Sequence, residues 1–426
     1  MNFSRFGMRF GGETGIRQLM NDLGRAMAGR DDMRMLGGGN PACIPAVQEV
    51  WRRRMRELLD AGEPFDRMLA HYDTPQGNVR FLETLARFFR RQFGWELGPE
   101  NIAVANGGQT AFFCLLNLLA GEAPGGGRRR ILLPLMPEYI GYADQGIEPG
   151  LLVGAEPRVE FTGPHRFKYH IDFDRLRVGD DIAALCVSRP TNPTGNVLTD
   201  AEMGRLRALA RARGIPLIVD NAYGAPFPDI LFSETRPVWD PGMVLTYSLS
   251  KLGLPGLRTG LVIGPPEIVA ALSAMNAILS LAPGGVGQAL VGPLFENDEI
   301  LRLSRETIRP FYLHKSREAL RWIEESFDPS LDYHVHESEG AIFLWLWFRR
   351  LPIRAEELYE RLKRRGVLVV AGSHFFYGGC EHSPHAHECV RLTYSQDGAA
   401  VREGIRILAE EVRRAYAGGV APPGSR

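Results

Sequence analysis

Cysteine is scarce in this chain. Five residues among 426, scattered at Cys43, Cys114, Cys186, Cys380 and Cys389, argue against a disulfide framework and for reduced thiols. Net charge is missing as well: Lys plus Arg number 50 and Asp plus Glu number 50, which leaves no field to gather nucleic acid or an anionic membrane surface. No apolar run approaches the roughly 20 residues that a membrane span needs. The opening MNFSRFGMRFGGETGIRQLM mixes charge, glycine and apolar residues and has no uninterrupted stretch that could serve as a signal peptide. No internal repeat is present. The expectation is a cytoplasmic protein that recognises a small ligand locally, with no nucleic-acid partner and no membrane.

The length exceeds what one hydrophobic core usually serves, so two domains are expected. From about Asn101 to Gly264, short apolar runs alternate with helical patterns, the signature of a layered α/β unit on a largely parallel sheet. The expected strands are Ile102 to Ala105, Arg130 to Leu133, Leu151 to Val153, Ile182 to Val187, Pro216 to Asp220, Met243 to Tyr247 and Leu261 to Ile263. Several are rich in Ile, Val and Leu, as strands covered on both faces should be. Thr199 and Glu202 form a capping box for a helix over 201–213. GGGRRR at 125–130 reads as an exposed turn before a buried strand. After about Leu301 the pattern changes to a long helix through Phe327, an alternating segment around Ala341 to Phe348, a helix over 355–365 and a last helix through Tyr416, an α+β arrangement. The division expected is an N-terminal arm and part of the small domain at 1–70, a large domain at 71–300, a small C-terminal domain at 301–416 and a disordered tail at 417–426, where AGGVAPPGSR is too rich in Gly and Pro to pack.

Four loops of the first unit place polar residues just beyond a strand, where open α/β sheets bind ligands. Asn106-Gly-Gly-Gln-Thr precedes an apolar helix, and bare amides at a helix N-terminus suit a phosphate. Ser188-Arg-Pro-Thr-Asn-Pro-Thr-Gly195 is a tight turn that projects the Asn192 amide, or simply an Asx turn. Asp220 ends a strand and could be a helix cap, with Tyr223 as core. Tyr247-Ser-Leu-Ser-Lys-Leu-Gly-Leu-Pro-Gly-Leu-Arg258 runs from a strand into a loop of small residues and holds the only lysine in this part of the chain, Lys251. Taken singly, each motif is weak.

In this order and spacing the motifs resemble the class I/II aminotransferases of the fold-type I pyridoxal-phosphate superfamily. The resemblance implies an α/β three-layer sandwich with a mostly parallel sheet, a smaller α+β domain, and pyridoxal 5'-phosphate as cofactor. It makes Lys251 the catalytic lysine, whose amine must lose its proton readily to meet an aldehyde near neutral pH. Ser248, Arg258, Gly108 and Gln109 would hold the cofactor phosphate. Asn192 and Tyr223 would face its phenolate oxygen, Asp220 its ring nitrogen, and Tyr139 would stack on the ring, with Tyr142 as second candidate. Arg391, in Cys389-Val-Arg-Leu-Thr-Tyr, would grip the substrate carboxylate beside Asn192, and Leu36-Gly-Gly-Gly39-Asn-Pro would close over it. Tyr72, five residues before Gly77, matches a tyrosine that reaches the neighbouring subunit's phosphate, which implies a homodimer. Two positions depart from the family pattern. Arg258 follows Lys251 by seven residues where eight is common, and Gly107 stands where many relatives carry a hydroxyl.

Longer stretches, among them GIRQLMNDL, PEYIGYADQG, SLAPGG and EGAIFLWLWF, resemble the branch of the family that exchanges an amino group between L-valine and pyruvate. The implied products are 3-methyl-2-oxobutanoate and L-alanine, by ping-pong kinetics. Other small apolar amino acids, or a lyase reaction on the same fold, are the alternatives. A DNA-binding regulator on this fold is disfavoured, because no basic domain precedes the Gly37 to Gly39 segment. Cys380, His382, His385, His387 and Cys389 form a dense run of potential zinc ligands but lack a standard zinc spacing. The expectation is no metal and a loop that covers the substrate.

Overall fold

The computed structural model describes residues 2–418, except 13, 14, 16, 18, 19, 22, 23 and 25–32. Part of the GIRQLMNDL stretch therefore lies outside the described residues, as does the expected disordered tail from 419 onward; residues 417 and 418 still belong to the terminal helix, Gly398–Gly418.

All seven expected strands of the first unit form, with ends shifted by a residue or two. They belong to an eight-stranded sheet in the order Ile102–Ala105, Gly260–Ile263, Met243–Ser248, Leu217–Asp220, Ile182–Ser188, Arg128–Leu133, then Gly121–Glu122, with Leu152–Gly154 also on Arg128–Leu133. Gly260–Ile263 runs antiparallel to both neighbours, and the centre of the sheet is parallel. Every residue of Ile182–Ser188 is buried, which is why that stretch carries no alternation. The start of Arg128–Leu133 is drawn two residues earlier than expected by antiparallel pairing with Gly121–Glu122 across the exposed glycine turn.

A second, six-stranded sheet runs Val370–Ala371, Cys389–Thr393, Phe343–Phe348, Tyr333–His336, Arg166–Ile171, Pro157–Gly163. The hairpin of Pro157–Gly163 and Arg166–Ile171 was not anticipated although its residues alternate polar and apolar, because it lies amid the strands of the other sheet. It joins the C-terminal strands through parallel pairing of Val335 with Arg166. The alternation expected around 341–348 is overturned: Phe343–Phe348 sits inside its sheet and is buried at every position. The expected long helix is also interrupted. A turn of π-helix at Leu303–Ile308 separates Glu299–Arg302 from Arg309–Ser326, where Pro310 lacks the N–H that a regular turn would use.

Near the N-terminus, Arg34–Met35 pairs in parallel with Val367–Leu368, and the Thr393 amide donates to the Leu36 carbonyl. These contacts carry the Gly37 to Gly39 segment to the strand that bears Arg391. Among the described residues, no helix is long and apolar enough to cross a membrane.

The capping box forms as expected. Thr199 Oγ1 accepts from the Glu202 amide at 3.1 Å, and Glu202 Oε2 accepts from the Thr199 amide at 2.9 Å, opening the helix Asp200–Arg213. Glu202 also accepts from the Ile171 amide at 3.2 Å, which ties the cap to the hairpin. Thr199→Ala should lower the unfolding free energy by about 1 kcal/mol. A denaturant titration would show a lower midpoint at unchanged slope, and an unmoved midpoint would mean that the cap is redundant.

Candidate active site

The parallel strands of the large sheet end on one side, and there the polar residues converge. Ser188 pairs in register with Asp220, and Asp220 with Thr246, so three adjacent strand ends present neighbouring side chains. Lys251 lies one short turn beyond the third, in Leu249–Leu252. Its Nζ donates to the Gly39 carbonyl and sits 5.2 Å from the centre of the Tyr223 ring. Burial, reinforced by the positive charges of Arg391 and Arg258, pulls its pKa from 10.5 down to about 7, against the opposing pull of Asp220. The amine is thus held near the point at which neutral nucleophile and protonated acid are both plentiful at pH 7.

Asp220 accepts hydrogen bonds from the Tyr142 hydroxyl, from the Ala222 amide at 2.9 Å and from Thr246 Oγ1 at 3.3 Å. Tyr142 is therefore not a stacking ring. It is fully buried and directs its hydroxyl at the carboxylate, while Tyr139, half-buried and edge-on to it at 5.3 Å, remains available to a ligand. Tyr142 meets Ser188, and Ser188 meets Glu138, a buried carboxyl to which sequence reasoning assigned no part. Periodicity gives no signal for such a contact, since Ser188 ends a strand some 46 residues beyond the segment that holds Glu138 and Tyr142.

At the Ile102–Ala105 end, the chain turns through Gly107 into the helix Gly108–Leu119. Gly107 has φ +89° and ψ 165°, a conformation open in practice to glycine, and a Cβ there would stand 2.2 Å from Arg258 Nη2. That contact explains why no hydroxyl-bearing residue occupies this position: the Arg258 guanidinium fills the space. Arg258 itself adopts a left-handed backbone, φ +48°, and its Nη1 donates to the Pro255 carbonyl at 3.2 Å. The tight bend brings the arginine to the helix N-terminus despite the seven-residue spacing. Ser248 is buried nearby, its Cβ 3.9 Å from where a Cβ on Gly108 would lie. The Gln109 side chain is held by the neighbouring loop, donating to the Gly141 carbonyl at 3.1 Å.

Arg391 comes from the other sheet. Its Nη1 donates to Asn192 Oδ1 at 2.7 Å and its Nη2 to the Gly37 carbonyl at 2.8 Å, while Nε is buried with no partner. The guanidinium lies 4.1 Å from the Phe343 ring centre and 5.1 Å from that of Phe375. Burial lowers its pKa to about 10. No carboxylate pairs with it among the described residues, so a charged fork bounded by neutral oxygens and ring faces waits for an anion. Lys251, Asp220, Asn192, Tyr223, Arg391 and Gly39 are thus brought into one cluster. Tyr72 is not part of it; that ring is 83% exposed on this chain's own surface.

The Cys/His run is a packing element rather than a cover over the site. His385 Nδ1 lies 2.8 Å from the Tyr169 hydroxyl and 3.8 Å from Cys389 Sγ, and its ring packs 4.1 Å from that of Trp347. His387 contacts Arg354 at 2.7 Å. Among the described residues, no group of three or more His, Cys, Asp or Glu is placed to hold a metal.

Comparison with known proteins agrees with this geometry. The family profile "Aminotransferase class I and II" matches residues 157–408. The chain is 48% identical to valine–pyruvate aminotransferase of Escherichia coli strain K12, over 98% of this chain and 99% of that protein. Among solved structures, a putative amino-acid aminotransferase from Psychrobacter arcticum superposes with a TM-score of 0.95 at 42% identity, covering 98% of this chain and 99% of its own. Valine-pyruvate aminotransferase from Salmonella typhimurium gives 0.87 at 46% identity, covering 95% and 100%.

The electrostatics can be read directly, since the chain has four lysines, Lys168, Lys251, Lys315 and Lys363. Reductive alkylation of the cofactor-free protein, mapped by peptide, should label Lys251 with a rate that rises through pH about 7. Arg391→Leu removes a positive neighbour that favours the neutral amine, so the inflection should move up toward 10.5. An inflection that stays put would assign the shift to burial and Arg258.

Proposed function

The chain belongs to the class I and II aminotransferases, and we propose that within that family it transfers the amino group of L-valine to pyruvate, giving 3-methyl-2-oxobutanoate and L-alanine. The observation that carries the reading is the placement of one low-pKa lysine within reach of an unpaired, buried arginine.

Pyridoxal 5'-phosphate is the cofactor of this family. The residues here fit it. A bare glycine turn, Ser248 and Arg258 gather donors for a phosphate at a helix N-terminus, Asp220 offers a carboxylate at the far end, and Lys251 lies between them. When bound, the cofactor supplies an aldehyde that captures amines and a protonated ring that accepts the electron pair left when a Cα–H bond breaks.

The protein's own groups do the rest. Arg391 binds the α-carboxylate through its planar fork, and the two rings beside it keep water from competing. Asn192 accepts from Arg391 at its oxygen, and its amide N–H groups would donate to the cofactor. With the cofactor in place, Lys251 would serve as the base, taking the Cα proton at Nζ and returning it within the same site. The Gly39 carbonyl, which accepts from Nζ, marks where the amine rests. The Phe343 and Phe375 rings beside Arg391 suit a small apolar side chain, although one methylene alters selectivity by only about 1–3 kcal/mol. A cytoplasmic location completes the reading, supported by five cysteines that form no disulfide.

An absorbance spectrum of the purified protein with pyridoxal phosphate tests this. L-valine should bleach the visible band and pyruvate should restore it, while Lys251→Ala should show no catalytic bleaching. No cofactor band after reconstitution would overturn the assignment, and a band indifferent to valine would overturn the substrate.

We also propose that the working enzyme is a homodimer. Leu69 and Tyr72 are 62% and 83% exposed, and Ile278, Leu279 and Leu281 are 86%, 51% and 61% exposed. Gly285 packs against Met68 and Asp73, and Asn106 bonds to Ser280, so both apolar segments border the phosphate end of the site. Apolar residues so placed are the usual mark of a partner surface. Sedimentation should give a dimer. Tyr72→Phe should remain dimeric and release cofactor about 10-fold faster, as befits one lost hydrogen bond to a charged group. A fully active monomer would refute the proposal.

A further inference from the structure

Behind Asp220 the hydrogen bonds continue away from Lys251. The Tyr142 hydroxyl donates to Asp220 and lies 3.3 Å from Ser188 Oγ, which in turn lies 2.7 Å from Glu138 Oε2. Glu138 also accepts from the Ser188 amide at 2.8 Å and from the Tyr139 amide at 3.0 Å. It is 2% exposed, and no ion pair reaches it among the described residues. The titratable groups that face it, Asp220, Tyr142, Tyr377 and Cys186, are acids that become negative on ionising.

We propose that Glu138 is held as a neutral carboxylic acid and that, through Ser188 and Tyr142, it is the positioning residue that keeps Asp220 the charged end of a single hydrogen-bonded chain. The inference rests on the reading that Asp220 serves the cofactor's ring nitrogen.

Counting protons leads there. With both carboxyls ionised, Ser188 must donate to Glu138 and Tyr142 to Asp220, so two hydroxyl oxygens face each other with no proton between them. One added proton on Glu138 Oε2 removes the gap: Glu138 donates to Ser188, Ser188 to Tyr142, and Tyr142 to Asp220. Every link then holds one proton, and the single negative charge rests on Asp220. The opposite polarity, with the proton on Asp220, would put the charge at Glu138, where no cation lies. Lys251 stands at the Asp220 end and favours the charge there. Burial pushes the Glu138 carboxyl up to about 8, despite the hydrogen bonds from Ser188 and Tyr139, in agreement with this assignment. Two coupled buried carboxyls that share one proton divide it according to such surroundings.

Infrared difference spectroscopy of the cofactor-free protein tests the protonation directly. Wild type minus Glu138→Gln at pH 7 should show the carbonyl stretch of a protonated carboxylic acid, and this band should fade as pH rises through about 8. Absence of the band would overturn the proposal. Because the measurement uses neither substrate nor cofactor, it stands apart from whether valine is the amino donor. The chain itself is tested in the holoenzyme with Ser188→Ala, which cuts it while leaving both carboxyl side chains in place. The pH midpoint of the bound cofactor's visible band should move upward by up to about one unit, the size of one hydrogen bond, and Ser188→Thr, which restores a hydroxyl, should bring it back. A midpoint that is the same in all three proteins would also overturn the proposal.

Discussion

An excess of positive charge in a recessed site is the constraint on which the rest of this structure depends. Arg391 and Arg258 both press positive charge on Lys251, and Asp220 is the carboxylate that opposes them. A protein tolerates such an imbalance only where something is to be bound. The lysine relieves its share by giving up its proton near neutral pH, which makes it a nucleophile. The arginines keep theirs, Arg391 buried against two rings and Arg258 exposed beside the Gly107 turn.

The two sheets supply the ends separately. The large sheet brings the phosphate turn, Asp220 and Lys251 to adjacent strand termini, an arrangement that follows from parallel strands sharing a direction. The small sheet carries Arg391 on Cys389–Thr393, buried between rings, and the Arg34–Met35 pairing brings Gly37 and Gly39 alongside. The Gly37 carbonyl accepts from Arg391 and the Gly39 carbonyl from Lys251, so this short segment spans the two halves of the site. The hairpin of Pro157–Gly163 and Arg166–Ile171 strengthens the link, since Arg166–Ile171 pairs with Tyr333–His336 while Glu202, on a helix of the large unit, bonds to its Ile171.

Much of this was legible before any coordinates. The apolar runs ending at Ala105, Val187 and Asp220 mark strands because burial on both faces leaves no polar alternation, and the residues just after them are the ones that meet. The hairpin was missed although its residues alternate, since it lies amid the strands of the large sheet and its partners lie more than 150 residues away in sequence. Phe343–Phe348 was misread as alternating, although its six consecutive apolar residues already mark a strand covered on both faces. Tyr142 could be read as an aromatic near the cofactor, but whether it stacks or donates depends on which way its hydroxyl points.

What the sequence by itself determined is the chemistry: a lone lysine after a strand, an aspartate ending the strand beside it, an arginine in a late apolar strand, and the glycines that leave room for them. These are local facts of residue type and spacing, and they carry the reaction class. Only the tertiary structure decided the electrostatics. The proton affinity of Lys251 depends on Arg391, 140 positions away, and that of Asp220 on burial and on hydrogen bonds from Tyr142, Ala222 and Thr246. Charges and hydrogen bonds act through space and through desolvation, and neither distance nor burial is written in the order of residues.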